Sequence, residues 1–244
     1  MSAARVALIT GSSSGIGAAT ARRLAASGVR VVINSRSPEA GEELAAELPG
    51  ARYIQADVSV DGEAERLVQG VIDAFGRLDI LVNSAGTTRF IPHDDLAAAS
   101  PEVWRDIFDV NVLGVWQTIT AAAPHLKASG SGAVVNVSSQ AGVRPNGSSI
   151  PYAVSKAAVN HMTRLLAKTL GPEVRVNAVA PGFIETPWYE GAEGFADTKR
   201  HVESVVPLRR TGSAEDVADA IAHLVDAPYI TGEVVFVDGG GNLV

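Results

Sequence analysis

Seven short runs rich in β-branched residues punctuate this chain, and longer segments with helical periodicity separate most of them. The runs are Val6–Thr10, Val29–Asn34, Arg52–Ala56, Ile80–Asn83, Ala133–Val137, Arg175–Ala180 and Glu233–Val237. Between them lie segments such as Ala18–Ser27, Gly41–Leu48 and Glu63–Phe75. Strands that are apolar on both faces and alternate with helices form a parallel sheet covered by helices on both sides. The pattern therefore predicts an α/β fold, a doubly wound parallel sheet of about seven strands, as one domain over residues 1–244. No Pro/Gly/Ser-rich linker, internal repeat or low-complexity segment divides it. One stretch breaks the rhythm: residues 183–206 carry the glycine-spaced centre Glu190-Gly-Ala-Glu-Gly194 and the aromatics Trp188, Tyr189 and Phe195. Long excursions of this kind are often functional, and a substrate lid is the expectation here.

Composition narrows the partners. A formal charge of −7 argues against nucleic acid or an anionic membrane. No apolar run approaches the ~20 residues of a membrane span. The N-terminal apolar stretch ends at Gly11, too soon for a signal-peptide core, so the expected location is the cytoplasm. Cysteine is absent, which removes disulfides, cysteine metal sites and thiol nucleophiles. His93, His125, His161, His201 and His223 lack metal-ligand spacing, so no metal is expected.

Directly after the first run comes Thr10-Gly-Ser-Ser-Ser-Gly-Ile-Gly17, followed by helical Ala18-Ala-Thr-Ala-Arg22. Gly11, Gly15 and Gly17 permit a tight turn and close backbone approach to a pyrophosphate. The helix that starts there turns free N–H groups and its positive end toward phosphate oxygens. The second run ends in Asn34-Ser-Arg36. An acidic residue at that point would bind ribose hydroxyls and favour NAD. Ser35 stands there instead, with Arg36 beside it, and a guanidinium pairs with a 2′-phosphate. NADP(H) is thus favoured, with NAD(H) the alternative.

Further along, Pro151-Tyr-Ala-Val-Ser-Lys156 opens a breaker-free helical segment that runs to about Leu170. Tyr152 and Lys156 are four apart and share one helix face. A tyrosine hydroxyl titrates near ~10, too high for acid/base work at neutral pH unless a nearby ammonium lowers it. Val135-Asn-Val-Ser-Ser-Gln140 leaves a strand where α/β sheets bind ligands. A serine there could donate to a substrate oxygen as charge develops. Local sequence alone leaves Ser138 and Ser139 equivalent.

Together these pieces resemble the short-chain dehydrogenase/reductase family from about Val6 to Val237. The matching pieces are the glycine turn, Asp57-Val58, Asn83-Ser-Ala-Gly86, Asn111, Ser139, Tyr152-x-x-x-Lys156 and Pro181-Gly182. The resemblance implies a Rossmann-type fold and an NAD(P)(H)-dependent oxidoreductase that moves a hydride between nicotinamide and an alcohol or ketone. It makes Tyr152 the acid/base, Ser139 the serine that orients the substrate oxygen, and Lys156 the group that binds the nicotinamide ribose and lowers the tyrosine pKa. Asn111 would hold a water relay to Lys156. Asp57 would contact adenine, Asn83 and Gly86 would line the cofactor channel, and Pro181, Gly182 and Thr186 would border the nicotinamide. Ser13, Ser14, Ile16, Val58, Ala85 and Ile184 complete the implied cofactor surface. Two departures stand out: Ser84 where the family has Asn, and a short Leu224–Tyr229 segment near elements that pack subunits together. A homo-oligomer, tetramer or dimer, is implied.

The family spans 3-oxoacyl carrier-protein reductases, sugar dehydrogenases and steroid dehydrogenases. Reductases of acidic carrier proteins tend to offer basic residues beside the active-site mouth. The corresponding stretches, Lys127–Gly132 and Gly171–Val174, offer only Lys127. A free, small and partly apolar alcohol or ketone is therefore the expected substrate, with the 3-oxoacyl-[acyl-carrier-protein] reductase reading second. His93, Val143, Phe183, Trp188 and Tyr189 are the expected substrate contacts. A non-catalytic dinucleotide-binding regulator is the reading from another class. The complete Asn111, Ser139, Tyr152 and Lys156 set speaks against it, because a sensor needs no acid/base.

Overall fold

The computed structural model describes residues 4–189 and 194–244. The chain's first three residues and the segment 190–193, most of the glycine-spaced centre of the expected lid, lie outside the described residues. Seven strands form one sheet: β1 (Val6–Thr10), β2 (Arg30–Ser35), β3 (Arg52–Gln55), β4 (Ile80–Asn83), β5 (Gly132–Val137), β6 (Val174–Pro181) and β7 (Val234–Val237). Every pairing is parallel, and the order is β3-β2-β1-β4-β5-β6-β7. All seven expected strands are present, β1 and β4 with the expected bounds and the other five with ends shifted by one residue.

Among the described residues, eight α-helices return the chain between strands or flank the sheet: α1 (Gly15–Ala26), α2 (Pro38–Glu47), α3 (Glu63–Phe75), α4 (Pro101–Phe108), α5 (Gly114–Ala128), α6 (Ile150–Leu170), α7 (Phe195–Val205) and α8 (Ala214–Asp226). Alternation along the strands divides the core. Val6 and Leu8 of β1 point to the face covered by α3, α5 and α6, where Leu67, Ile119 and Leu166 pack. Ala7 and Ile9 point to the face of α1 and α8, against Leu24, Val217 and Ile221. Each such Leu, Ile or Val contributes about 1.5–3 kcal/mol when fully buried.

Two local features aim the helices that matter most. At α6, Ser149 caps the first turn by accepting from the Tyr152 N–H at 3.3 Å, and Pro151 occupies a first-turn position. That seat fixes where Tyr152 emerges. Between α4 and α5 the backbone never leaves helical space, but Asp109–Leu113 forms a wider, π-type turn. Asn111 sits inside it, fully buried.

The strand order reverses between β1 and β4, so the crossovers leave in opposite directions there. In open parallel sheets that reversal opens a crevice beyond the carboxyl ends of the strands. A cleft lies there, lined by Gly11 after β1, Ser84 after β4 and Ser138 after β5. The lid region is less irregular than its composition suggests, because its second half is the helix α7. No residue of α7 is buried.

Candidate active site

One cleft of about 810 Å³ runs from the glycine turn to the aromatic cluster before α7. At its first end, Gly11 adopts φ +61°, and a Cβ there would lie 2.6 Å from the Ala85 backbone. Gly17 is pressed against the turn itself: a Cβ would overlap the Gly11 carbonyl oxygen. Glycine is required at Gly11 by conformation and contact, and at Gly17 by contact alone. Ser12 pins the turn to the sheet, with its Oγ donating to the Ile9 carbonyl at 2.7 Å and accepting from the Asn34 N–H at 3.0 Å. Helix α1 begins at Gly15, three residues earlier than its periodicity suggests, and its N-cap Ser14 makes no side-chain cap. Its leading N–H groups therefore face the cleft. This cradle fits the pyrophosphate of a dinucleotide.

Ser13, Ser14, Gly15 and Ile16 line this end, and Ser35, Arg36, Asp57 and Val58 line the adjoining wall. Arg36 joins none of the ion pairs among the described residues. Asp57 also serves its own turn, with Oδ1 accepting from the Ser59 N–H at 3.0 Å and from the Ser59 hydroxyl at 2.6 Å. Ala85, Gly86, Pro181, Gly182, Ile184 and Thr186 border the middle of the cleft.

There Tyr152, Lys156 and Ser139 converge. Lys156 is buried, donates from Nζ to the Val137 carbonyl at 2.9 Å, and holds its ammonium 5.6 Å from the centre of the Tyr152 ring. The two serines are no longer equivalent. Ser138 is buried and donates to the Lys156 carbonyl at 3.2 Å, whereas Ser139 accepts from the Ala141 N–H at 3.2 Å and lies toward the Tyr152 hydroxyl, where it lowers that group's pKa. Burial pushes the Tyr152 phenol up to about 12, and only Ser139 opposes it. Burial pulls Lys156 down to about 8. Desolvation thus sets the direction of the Tyr152 shift, and Tyr152 stands as a neutral phenol at pH 7.

Asn111 lies beneath this group rather than on the cleft surface. Its Oδ1 accepts from the Thr87 N–H at 2.8 Å, and its Nδ2 donates to the Thr87 carbonyl and to Ser155 Oγ, each at 3.0 Å. Ser155 in turn donates to the Tyr152 carbonyl at 2.7 Å. Asn111 thus ties the loop after β4 to the first turn of α6. A Cβ on Gly86 would sit 3.5 Å from Asn111 Oδ1 and 3.7 Å from Lys156 Nζ, so Gly86 is where the three approach.

At the far end, aromatic rings form a wall. Phe183 stacks on Tyr189 with centroids 4.5 Å apart, Phe195 lies 5.5 Å from Phe183, and Phe90 lies 6.1 Å from Tyr189. Trp188 sits 6.0 Å from the Tyr152 ring. Burial raises the Tyr189 hydroxyl pKa.

Four expectations need correction. Asn83 does not line the cofactor channel: it is buried, donates to Asn136 Oδ1 at 2.9 Å and accepts from Thr118 at 2.7 Å, so it braces β4 against β5 and α5. His93 is not on the cleft, because the Pro92–Asp95 turn carries it outward into solvent. Val143 is 58% exposed and also lies off the cleft, one residue beyond the short turn Gln140–Gly142. Lys127 precedes β5 and Gly171–Val174 leads into β6, whereas Ser139 follows the other end of β5. Within one chain, neither stretch is beside the cleft mouth, so the count of basic residues there says nothing about a carrier protein. Conversely, Phe90, Asn146, Ser148, His201 and Val202 line the cleft and were not foreseen as site residues. His201 and Val202 could have been found by extending helical spacing from Phe195; the others depend on how loops fold back.

A family model described as enoyl-(acyl carrier protein) reductase matches residues 11–242. A Streptomyces violaceoruber protein, provisionally named ketoacyl reductase 2 of the granaticin polyketide synthase, is 62% identical over 99% of this chain and 97% of its own length. A 3-oxoacyl-[acyl-carrier-protein] reductase of Thermotoga maritima is 39% identical, covering 97% of each chain. Among solved structures, a short-chain glucose/ribitol-type dehydrogenase/reductase from Brucella melitensis superimposes with TM-score 0.91 at 34% identity, over 97% of this chain and 96% of that one.

Proposed function

Because this chain belongs to the short-chain dehydrogenase/reductase family and is an NAD(P)-dependent oxidoreductase of CH–OH and C=O groups, we propose that it uses NADPH to reduce a ketone on an extended, partly aromatic polyketone. The observation that carries this reading is the aromatic wall of Phe90, Phe183, Tyr189 and Phe195 facing Tyr152 across one cleft. Flat rings stack well against such a wall. The 62% identity to a protein named as a polyketide ketoacyl reductase supports the same substrate class.

Bound NADPH supplies the hydride. Tyr152, a neutral phenol, gives its proton to the ketone oxygen as that oxygen gains charge. Ser139 holds the same oxygen by a hydrogen bond. The phenolate left on Tyr152 is stabilised by the Lys156 ammonium while that group keeps its proton. Asn111, through Ser155 and Thr87, keeps the first turn of α6 and the loop after β4 in register. Arg36, free of ion pairs and on the cleft, would pair with the 2′-phosphate, which is the reason for placing NADPH ahead of NADH.

The enzyme works as a single domain over residues 1–244, in the cytoplasm, as a homotetramer or homodimer. The absence of cysteine suits a reducing compartment, and among the described residues no helix is long and apolar enough to cross a membrane. Exposed Trp116, Val154 and Leu165 on α5 and α6 support burial against a second copy.

The test is a titration with NADPH and NADH followed by turnover of 1-tetralone and of an acetoacetyl thioester. NADPH-dependent reduction of the bicyclic ketone is the expected result. Tighter NADH binding overturns the cofactor assignment. Turnover of the thioester alone transfers the protein to the short-chain 3-oxoacyl reading, and cofactor binding with no turnover makes it a regulator.

A further inference from the structure

Five aromatic side chains of the cleft come from outside the catalytic helix, and one of them stands apart from the wall. Phe90, Phe183, Tyr189 and Phe195 pair with one another, whereas the only aromatic partner of Trp188 among the described residues is Tyr152. The indole reaches past that ring toward the loop after β4. A Cβ placed on Gly86 would lie 3.8 Å from Trp188 Cη2, 3.7 Å from Lys156 Nζ and 3.5 Å from Asn111 Oδ1. Glycine thus leaves a carbon-sized space, and the indole edge and the lysine ammonium both front it. Trp188 is also 36% exposed, so its ring is not sealed beneath other side chains.

The indole is held where it is. Trp188 lies in the short turn Pro187–Tyr189, where the Tyr189 N–H donates to the Thr186 carbonyl at 3.3 Å and the Tyr189 ring stacks on Phe183. Just before it, the Phe183 carbonyl accepts from the Gly212 N–H at 3.0 Å, and the Glu185 N–H donates to the Gly212 carbonyl at 2.9 Å. The Tyr152 and Trp188 rings are tilted by 50° with centroids 6.0 Å apart. A third flat group between two rings needs about 7 Å, twice a carbon–carbon contact. A ketone whose oxygen reaches the Tyr152 hydroxyl therefore sits at the rim of this pair, with one neighbouring carbon against the indole edge and its other substituent toward the aromatic wall.

We propose that Trp188 is a specificity-determining residue: its indole edge admits a plain CH2 beside the reduced carbonyl and excludes ketones that carry methyl groups on that carbon. This rests on the polyketone reading above and narrows it to polyketones whose carbonyls are separated by unbranched CH2 groups. Extra methyls pressed into a held aromatic edge force displacement of one or the other, and a single methylene is commonly worth tenfold or more in selectivity.

The experiment compares wild type, Trp188→Ala, Trp188→Leu and Phe183→Ala on 1-tetralone and 2,2-dimethyl-1-tetralone. Turnover is measured with NADPH, and affinity for both ketones by calorimetry. Wild type is expected to prefer the plain ketone at least tenfold in kcat/KM. Trp188→Ala and Trp188→Leu are expected to shrink that preference about tenfold and to raise kcat/KM on the dimethyl ketone, a gain that a damaged fold cannot produce. Phe183→Ala, which alters the wall, should weaken both ketones alike. Equal use of the two ketones by wild type overturns the proposal. So does an unchanged preference in both Trp188 variants, a preference that shrinks only through loss of the plain ketone, or an equal relaxation in Phe183→Ala. If wild type reduces neither ketone, the functional reading fails. The calorimetric arm then decides this one: weaker binding of the dimethyl ketone by wild type, relieved in Trp188→Leu, upholds it, and any other pattern overturns it.

Discussion

Helices α1 and α7 border the same cleft from opposite ends, and they are built on different terms. Helix α1 buries Gly17, Ala18, Ala19, Thr20, Ala21 and Leu24, and meets the cleft with backbone and small side chains. Helix α7 buries nothing and meets it with Phe195, Thr198, His201 and Val202. Its attachments are the aromatic stack under Phe195 and an ion pair between Lys199 and Glu185 at 2.8 Å, which Thr211 supports from below. A ligand of constant shape, the dinucleotide, is met by a surface with little freedom to vary. A ligand that differs among relatives is met by side chains on a lightly anchored helix, where substitution disturbs no core.

The sharpest test of the contrast falls on the chemistry between the two ends. Tyr152→Phe should lower kcat by roughly 10²–10⁴, the usual contribution of a general acid, while dinucleotide affinity by fluorescence titration is preserved. At the α1 end, Gly17→Ala drives a methyl into the Gly11 carbonyl. Overpacking of this kind costs about 1–3 kcal/mol, so dinucleotide affinity should fall roughly ten- to a hundredfold, with a lower Tm. Normal binding by this variant would break the comparison. Arg36→Asp should lower NADPH affinity about tenfold at low salt and much less for NADH, an effect that added salt diminishes.

A pH profile sharpens the picture in the middle. Burial depresses Lys156 to about 8, so the ammonium is lost as pH rises through that value, and reduction should slow severalfold between pH 7 and pH 9. The stability sign runs the other way. The unfolded chain keeps the lysine proton up to its ordinary 10.5, so the penalty for charging the buried amine is full below about 8 and is relieved between 8 and 10.5. The smallest effect belongs to α7. Lys199→Ala removes an exposed ion pair, and KM for the ketone should change by only about two- to threefold, with kcat and Tm unmoved. A large drop in Tm would show α7 to be as firmly integrated as α1.

What the sequence made legible follows the same division. The glycine turn, Tyr152 with Lys156, and the strand-helix rhythm are encoded by local spacing, and all appear where expected. Ser138 and Ser139 could not be separated locally because the difference lies in what each approaches: the Lys156 carbonyl for one, the Tyr152 hydroxyl for the other. Asn83 was misplaced because a polar residue at a strand end fits a channel wall and an inter-strand brace equally well, and only Asn136 and Thr118 decide between them. His93 lies within a tight turn and Val143 follows one, and both are carried away from the cleft. Phe90 and Asn146 enter the cleft through loops that fold back from distant parts of the chain, and no periodicity reports on that.

The π-type turn at Asp109–Leu113 has a consequence for how this chain can change length. From Pro101 to Ala128 the backbone forms one helical rod, and that turn sets the rotational phase between its halves. Each residue in a helix advances the rod by ~100°. A single deletion there would spin α5 by about that angle, turning Val115, Ile119, Ala122 and Leu126 out of the core and uncoupling Asn111 from Thr87 and Ser155. Insertions and deletions in this lineage should therefore collect around α7, while the rod keeps its residue count.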